Sequence, residues 1–179
     1  MADCTFTILA KTKEVASSFA HTPTTSGFTA LMYSFSAYIE AERDLEHCGG
    51  SWDPACDQWI RDAERARARV LDGITALRGT PVCRREDLPL RRYADLAKML
   101  IESDSPEQVQ DILALPDRFP DFFRCAGDSP AARRVTQMVA SFQQHLHALA
   151  TLEDVVEMVE GGCFMVESDA PATMLAPAA

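Results

Sequence analysis

Two stretches decide the fold: GFTALMYSFSAYIEAERDLEHC, residues 27 to 48, and PACDQWIRDAERARARVLDGITALR, residues 54 to 78. In the first, Phe28, Leu31, Met32, Phe35, Tyr38, Ile39 and Leu45 recur at three and four residues, the spacing that gathers side chains on one helical face. In the second, Cys56, Trp59, Ala63, Ala66, Val70, Ile74 and Leu77 form the matching stripe. Its middle is small, so alanines 63 and 66 let a neighbouring helix approach closely. The two stripes, joined by a short glycine-containing loop, predict a helical hairpin.

Outward from the hairpin, the chain marks its own boundaries. Asp53-Pro54, Ser105-Pro106 and Ser129-Pro130 each pair a residue able to accept a backbone N–H with a proline whose missing N–H is not needed at a first helical position. Gly49-Gly50, Gly79 and Gly161-Gly162 supply stop signals. Between them lie a helix at about 90–103 with Leu90, Tyr93, Ala97, Leu100 and Ile101 on one side, and another at 106–115 with Val109, Ile112 and Leu113. Pro116 and Pro120 then break the chain, leaving one irregular turn in PDRFPDFFRCAG whose Phe119, Phe122 and Phe123 plug an end of the core. A long helix from Pro130 carries Val135, Met138, Val139, Phe142, Leu146 and Leu149, and the capping pattern at Thr151–Asp154 suggests a second helix at about 152–160 or a kinked continuation of the first. Residues 4–9 and 163–166 fit either a strand or a helix, and the Ala- and Pro-rich stretch 168–179 reads as a disordered tail.

Composition agrees. The chain has 179 residues, 26 of them Ala and only 8 Gly, a bias toward helix. The expected architecture is an all-α single domain over residues 1–167, a bundle of five to seven helices, followed by the tail. Arg outnumbers Lys by 14 to 3, which with the Ala content looks like GC-rich bacterial coding. The N-terminal residues contain no run resembling a secretory signal, and no stretch is long and apolar enough to span a membrane, so a cytoplasmic protein without membrane contact is expected. Six cysteines, at 4, 48, 56, 83, 125 and 163, form no C-x-x-C, and ordinary thiols are the default.

The net charge is −10, which disfavours nucleic acid as a partner because phosphate backbones are held by clustered positive charge. Residues 51–100 are the exception, with 10 basic against 8 acidic side chains. There Arg61, Arg65 and Arg69 fall four residues apart on the face opposite the apolar stripe, and Arg84-Arg85 with Arg91-Arg92 form a second basic knot. Guanidinium groups in line suit an acidic protein partner, although Asp57, Asp62, Glu64 and Asp72 interleave and offer pairing within the helix.

Two metal readings compete. His145 and His147 stand two apart, which on a helix points them about 200° apart and prevents both from reaching one ion. Glu42 and Glu46 continue the first stripe toward Cys48, Cys56 and Trp59, and carboxylates at that spacing could take a metal or a small molecule. The chain has no Glu-x-x-His, phosphate loop, nucleophile elbow or dinucleotide fingerprint, and no cofactor is expected. The reading is therefore a non-enzymatic interaction or regulatory protein. Its contact residues are Arg61, Arg65, Arg69, Arg84 and Arg85 or the aromatic turn Phe119, Phe122 and Phe123. A ligand-binding bundle, conceivably an enzyme, with its site at Glu42, Glu46, Cys48, Cys56 and Trp59 is the alternative, and a homo-oligomer formed through an apolar helix face is a third reading.

Overall fold

The computed structural model describes residues 21–46 and 54–162, with side chains placed at 21–46 and 56–152. Among these residues there are seven α-helices, one turn of 3-10 helix and no strand, so the all-α class holds. In chain order they are α1 (Pro23–Glu46), α2 (Pro54–Gly79), the 3-10 turn Arg85–Asp87, α3 (Leu88–Ile101), α4 (Pro106–Leu113), α5 (Leu115–Arg118), α6 (Pro120–Phe123) and α7 (Pro130–Gly162). The ambiguous segments 4–9 and 163–166, Gly49-Gly50, the expected cap Asp53 and the tail 168–179 lie outside the described residues.

Every one of these α-helices has proline as its first or second residue. The predicted caps at Ser105 and Ser129 are present, each hydroxyl accepting a backbone N–H three residues on, from Gln108 at 3.3 Å and Ala132 at 3.0 Å. A fourth start, Thr22-Pro23, carries the same signal and begins α1 four residues before the expected Gly27. Its cap is reciprocal. The Thr22 hydroxyl accepts the Thr25 N–H at 3.1 Å, while the Thr25 hydroxyl accepts the Thr22 N–H at 2.9 Å.

α1 and α2 pack antiparallel, as the glycines show. A Cβ on Gly27 would lie 3.1 Å from Leu77 Cδ1, and one on Gly73 would lie 3.4 Å from Leu31 Cδ1, so position rises along one helix as it falls along the other. Across this hairpin lies α7, whose Phe142 ring meets Phe28 at 4.9 Å and Phe35 at 5.1 Å, both edge to face. All three rings are fully buried. Most of the predicted stripes are buried as read, while Cys56, Trp59, Met32, Leu45, Leu113 and Val139 are half-buried at their margins.

α7 is one helix of 33 residues rather than two. The Thr151 hydroxyl that resembled a new cap instead donates to the His147 carbonyl at 2.8 Å, one turn back. α3 is held from both sides: Gln143 of α7 donates to the Tyr93 hydroxyl at 2.7 Å, and Arg91 reaches the carboxyl end of α2, donating to the carbonyls of Arg78 and Thr80. A guanidinium there satisfies carbonyls that the helix leaves open and complements the negative end of its dipole.

Phe142→Ala should destabilise the chain by about 3–5 kcal/mol, because it empties the contact of α7 with both α1 rings. Thr22→Ala should cost about 1 kcal/mol by removing one half of the reciprocal cap. Urea denaturation followed by circular dichroism measures both, and equal losses would contradict this ranking.

Candidate functional site

Between α4 and α7 the chain is too interrupted to make an amphipathic helix. Pro116 and Pro120 open two successive single turns, α5 and α6, where one irregular turn was expected. A four-residue helix cannot present one continuous face, and its aromatic residues separate. Phe123 is buried, edge to face with Tyr93 at 5.3 Å. Phe119 and Phe122 are 57% and 51% exposed. The three phenylalanines therefore do not plug the core together: one enters it and two stay outside.

The exposed pair has company. Phe119, Phe122 and Met99, itself 49% exposed, line a groove of about 470 Å³ with Leu96, Leu115 and Phe123. Arg92 and Asp95 form its polar margin. Single exposed apolar side chains need no explanation, whereas three around one trough make it a candidate contact surface. Sequence reasoning missed Met99 and Leu115; the signal was there, since Met99 falls off the buried stripe of α3 at a position a polar residue would suit.

Arg92 governs this corner. Its guanidinium carbon lies 3.8 Å from the Phe122 ring centre, and its Nη1 donates to the Phe122 carbonyl. Such a stacked cation contributes about 0.5–1 kcal/mol at an exposed site, enough to favour one orientation of the ring. The basic knot expected at 84–92 is thus divided, with Arg91 bound to the end of α2 and Arg92 to the aromatic turn. Arg84 is half-buried and Arg85 exposed.

Arg92 also lines a second cleft of about 430 Å³, together with Arg85, Arg124, Glu86, Asp121 and the apolar Leu88 and Pro89. The ion pairs among the described residues include Arg65–Asp62, Arg78–Asp95, Lys98–Glu102 and Arg118–Asp111. None of Arg85, Arg92 or Arg124 belongs to one. Cys125 also borders the cleft, and burial, followed by the charges of Glu86 and Asp87, pushes its thiol pKa up. It is poorly suited to act as a thiolate nucleophile. Asp87 is 2% exposed, and its Oδ2 has no hydrogen-bond partner among the described residues.

The remaining candidates are spread out. Arg61, Arg65 and Arg69 are all exposed on α2, and Asp62 neutralises Arg65 at 2.7 Å. At the hairpin end, Glu46 is exposed, Cys56 and Trp59 are half-buried, and Cys48 lies outside the described residues. Glu42 is half-buried; desolvation raises its pKa above the ordinary 4.5, opposed by a hydrogen bond from Tyr38 and the charge of Arg67. Arg67 also donates to the Ile101 carbonyl at 2.9 Å, so this corner joins α1, α2 and α3. Among the described residues, no group of three His, Cys, Asp or Glu side chains is placed to hold a metal. His145 is half-buried, with its pKa lowered by desolvation, while His147 is exposed on another face of α7, in keeping with the geometry of their spacing.

No protein-family model, curated protein or solved structure matches the chain. No helix among the described residues is long and apolar enough to cross a membrane.

The raised pKa of Glu42 has a signed consequence. The folded state binds this proton more tightly than the unfolded state, so the contribution to stability is complete below 4.5 and is lost as pH rises through the folded value. Glu42→Gln, which stays neutral, should therefore raise the melting temperature at pH 7 relative to the parent, with that advantage shrinking toward pH 4. A gain independent of pH would show that desolvation of the carboxylate is not its source.

Proposed function

We propose that the chain is a non-enzymatic, cytoplasmic interaction protein that captures a protein partner through the groove between α3, α5 and α6. The observation that carries this reading is the gathering of Met99, Phe119 and Phe122, each about half exposed, around one apolar trough. Aromatic and methionine side chains are the residues that interfaces concentrate, and a few such anchors in a preformed depression supply most of the binding energy.

The arginine face of α2 is the weaker candidate. Its three guanidinium groups remain in water, where an ion pair is worth about 0–1 kcal/mol, and Asp62 already engages the middle one. Fully burying an exposed phenylalanine gains about 1.5–3 kcal/mol, so covering the remaining half of two rings gains about as much in total, against about 0–2 kcal/mol from the two guanidinium groups that Asp62 leaves unengaged. The ligand-site reading at Glu42 has no comparable support, since the carboxylate faces Tyr38 and Arg67 within the fold.

Two sets of substitutions separate these readings. Once a partner has been identified with the full chain, Met99→Glu with Phe119→Glu should weaken its binding by at least about a hundredfold, or about 2.7 kcal/mol. Arg61→Glu, Arg65→Glu and Arg69→Glu together should leave it within about threefold. All five residues are exposed, so each variant should keep its stability within about 0.5 kcal/mol per substitution. The opposite pattern, loss from the arginine set alone, would move the contact surface to α2. A mass in solution that doubles with concentration and returns to monomer in the groove variant would identify a second copy of the chain as the partner.

A further inference from the structure

We infer that the apolar groove and the arginine cleft are two halves of one site, joined at Arg92, and that the site takes a peptide segment of a partner protein in which apolar side chains adjoin a carboxylate. This inference rests on the reading of the groove as a docking surface and adds the chemistry of what docks.

Arg92 borders both depressions. On one side lie Met99, Phe119 and Phe122; on the other, Arg85 and Arg124 bring two more guanidinium groups from separate parts of the chain, the 3-10 turn and the residue after α6. Of the five N–H donors on Arg92, one is committed to the Phe122 carbonyl, and the stacked ring holds its plane. What remains is an oriented fork beside an apolar trough. That arrangement suits a carboxylate, which an arginine binds through two parallel N–H bonds.

The cleft also contains its own acids, and they narrow the choice. Glu86 accepts from the Ser129 hydroxyl at 3.4 Å, directing it toward the start of α7, while Asp121 is exposed at the rim. Among the charged side chains that line the cleft, three positive groups stand against two negative ones, an excess of one, and Asp87 lies close enough to act on Cys125 at its edge, so the cleft suits a single carboxylate rather than a run of them. A nucleic-acid backbone would bring a phosphate at every step past Glu86 and Asp121 and place sugars against phenylalanines. An acidic, apolar peptide satisfies both halves of the surface. Charge complementarity of this kind also selects against basic segments.

The test pans a random-peptide phage library on the immobilised full chain and measures the selected peptides by fluorescence anisotropy. The enriched sequences should pair Leu, Met, Phe or Trp with Asp or Glu. Arg85→Glu with Arg124→Glu, which leaves the groove untouched, should weaken them by about tenfold or more, as should raising salt from about 0.05 M to about 0.5 M. Phe119→Ser with Met99→Ser should weaken them at any salt. Peptides that lose affinity on the groove change but carry no acids and ignore the arginine reversal would overturn this inference while leaving the docking surface intact. Peptides indifferent to the groove change would instead overturn the reading on which it rests. Displacement of the peptides by a single-stranded oligonucleotide at comparable concentration would replace the peptide ligand with nucleic acid and also overturn the inference.

Discussion

The structure depends on one ring. Phe142 sits edge to face against both Phe28 and Phe35, two turns apart on α1, so a single side chain sets where α7 lies along the hairpin and how far it is rotated. Edge-to-face pairs add about 0.5–1.5 kcal/mol each beyond the area they bury, and they are directional in a way that aliphatic contact is not. Once α7 is placed, Gln143, the next residue, fixes the Tyr93 hydroxyl and with it α3. Tyr93 then seats Phe123, and α3 carries Arg92 and Met99 to the groove. The position of the candidate surface thus follows, contact by contact, from the middle of the core.

A second constraint acts along the chain rather than across it. Proline is the first or second residue of all seven described α-helices, where its missing N–H costs no helical hydrogen bond. Where starts are far apart, as in α1, α2 and α7, the helices are long and develop one buried face. From Pro106 to Pro130 four such starts fall close together, and Gly127, with a φ of 95°, turns the chain once more before α7. α4 is left with eight residues and α5 and α6 with one turn each. Their side chains cannot all point inward, which is why this region supplies the exposed aromatics.

These two constraints also separate what was legible in the sequence from what was not. A period of three to four residues exposes a long helix to inspection, so Phe28 to Ile39, Ala63 to Leu77 and Val135 to Leu149 could be read as core faces. The start of α1 escaped because HTPTTSG is rich in poor helix formers, although Thr22-Pro23 repeats the pattern found at Ser105 and Ser129. Within the candidate surface, Phe119 and Phe122 were visible as an aromatic cluster, but their separation from Phe123 was not. In a single turn, tertiary contact with Tyr93 decides which ring is buried, and no local period encodes it. The dual placement of Arg92 was equally hidden: a pair such as Arg91-Arg92 reads as one basic knot until helix geometry sends adjacent residues to different partners.

Leaving two rings half in water costs the fold apolar burial. Burying one phenylalanine is worth about 1.5–3 kcal/mol, so two left half in water forgo an amount comparable with a substantial part of the 5–15 kcal/mol that stabilises an ordinary domain. The fold had a local means of covering one of them, since a continuous helix through 115–123 would present Phe119 on the same face as the buried Phe123, four residues on. Pro120 stands between them and prevents it. Arg92 then holds Phe122 from above, stacking on the ring and bonding the carbonyl of the same residue. A partner that covers this ring must therefore meet the guanidinium as well, and desolvating that charge without a counter-ion would cancel much of the apolar gain. On the proposed reading, an apolar side chain that fills the groove beside Phe122 is best accompanied by an acceptor that answers Arg92.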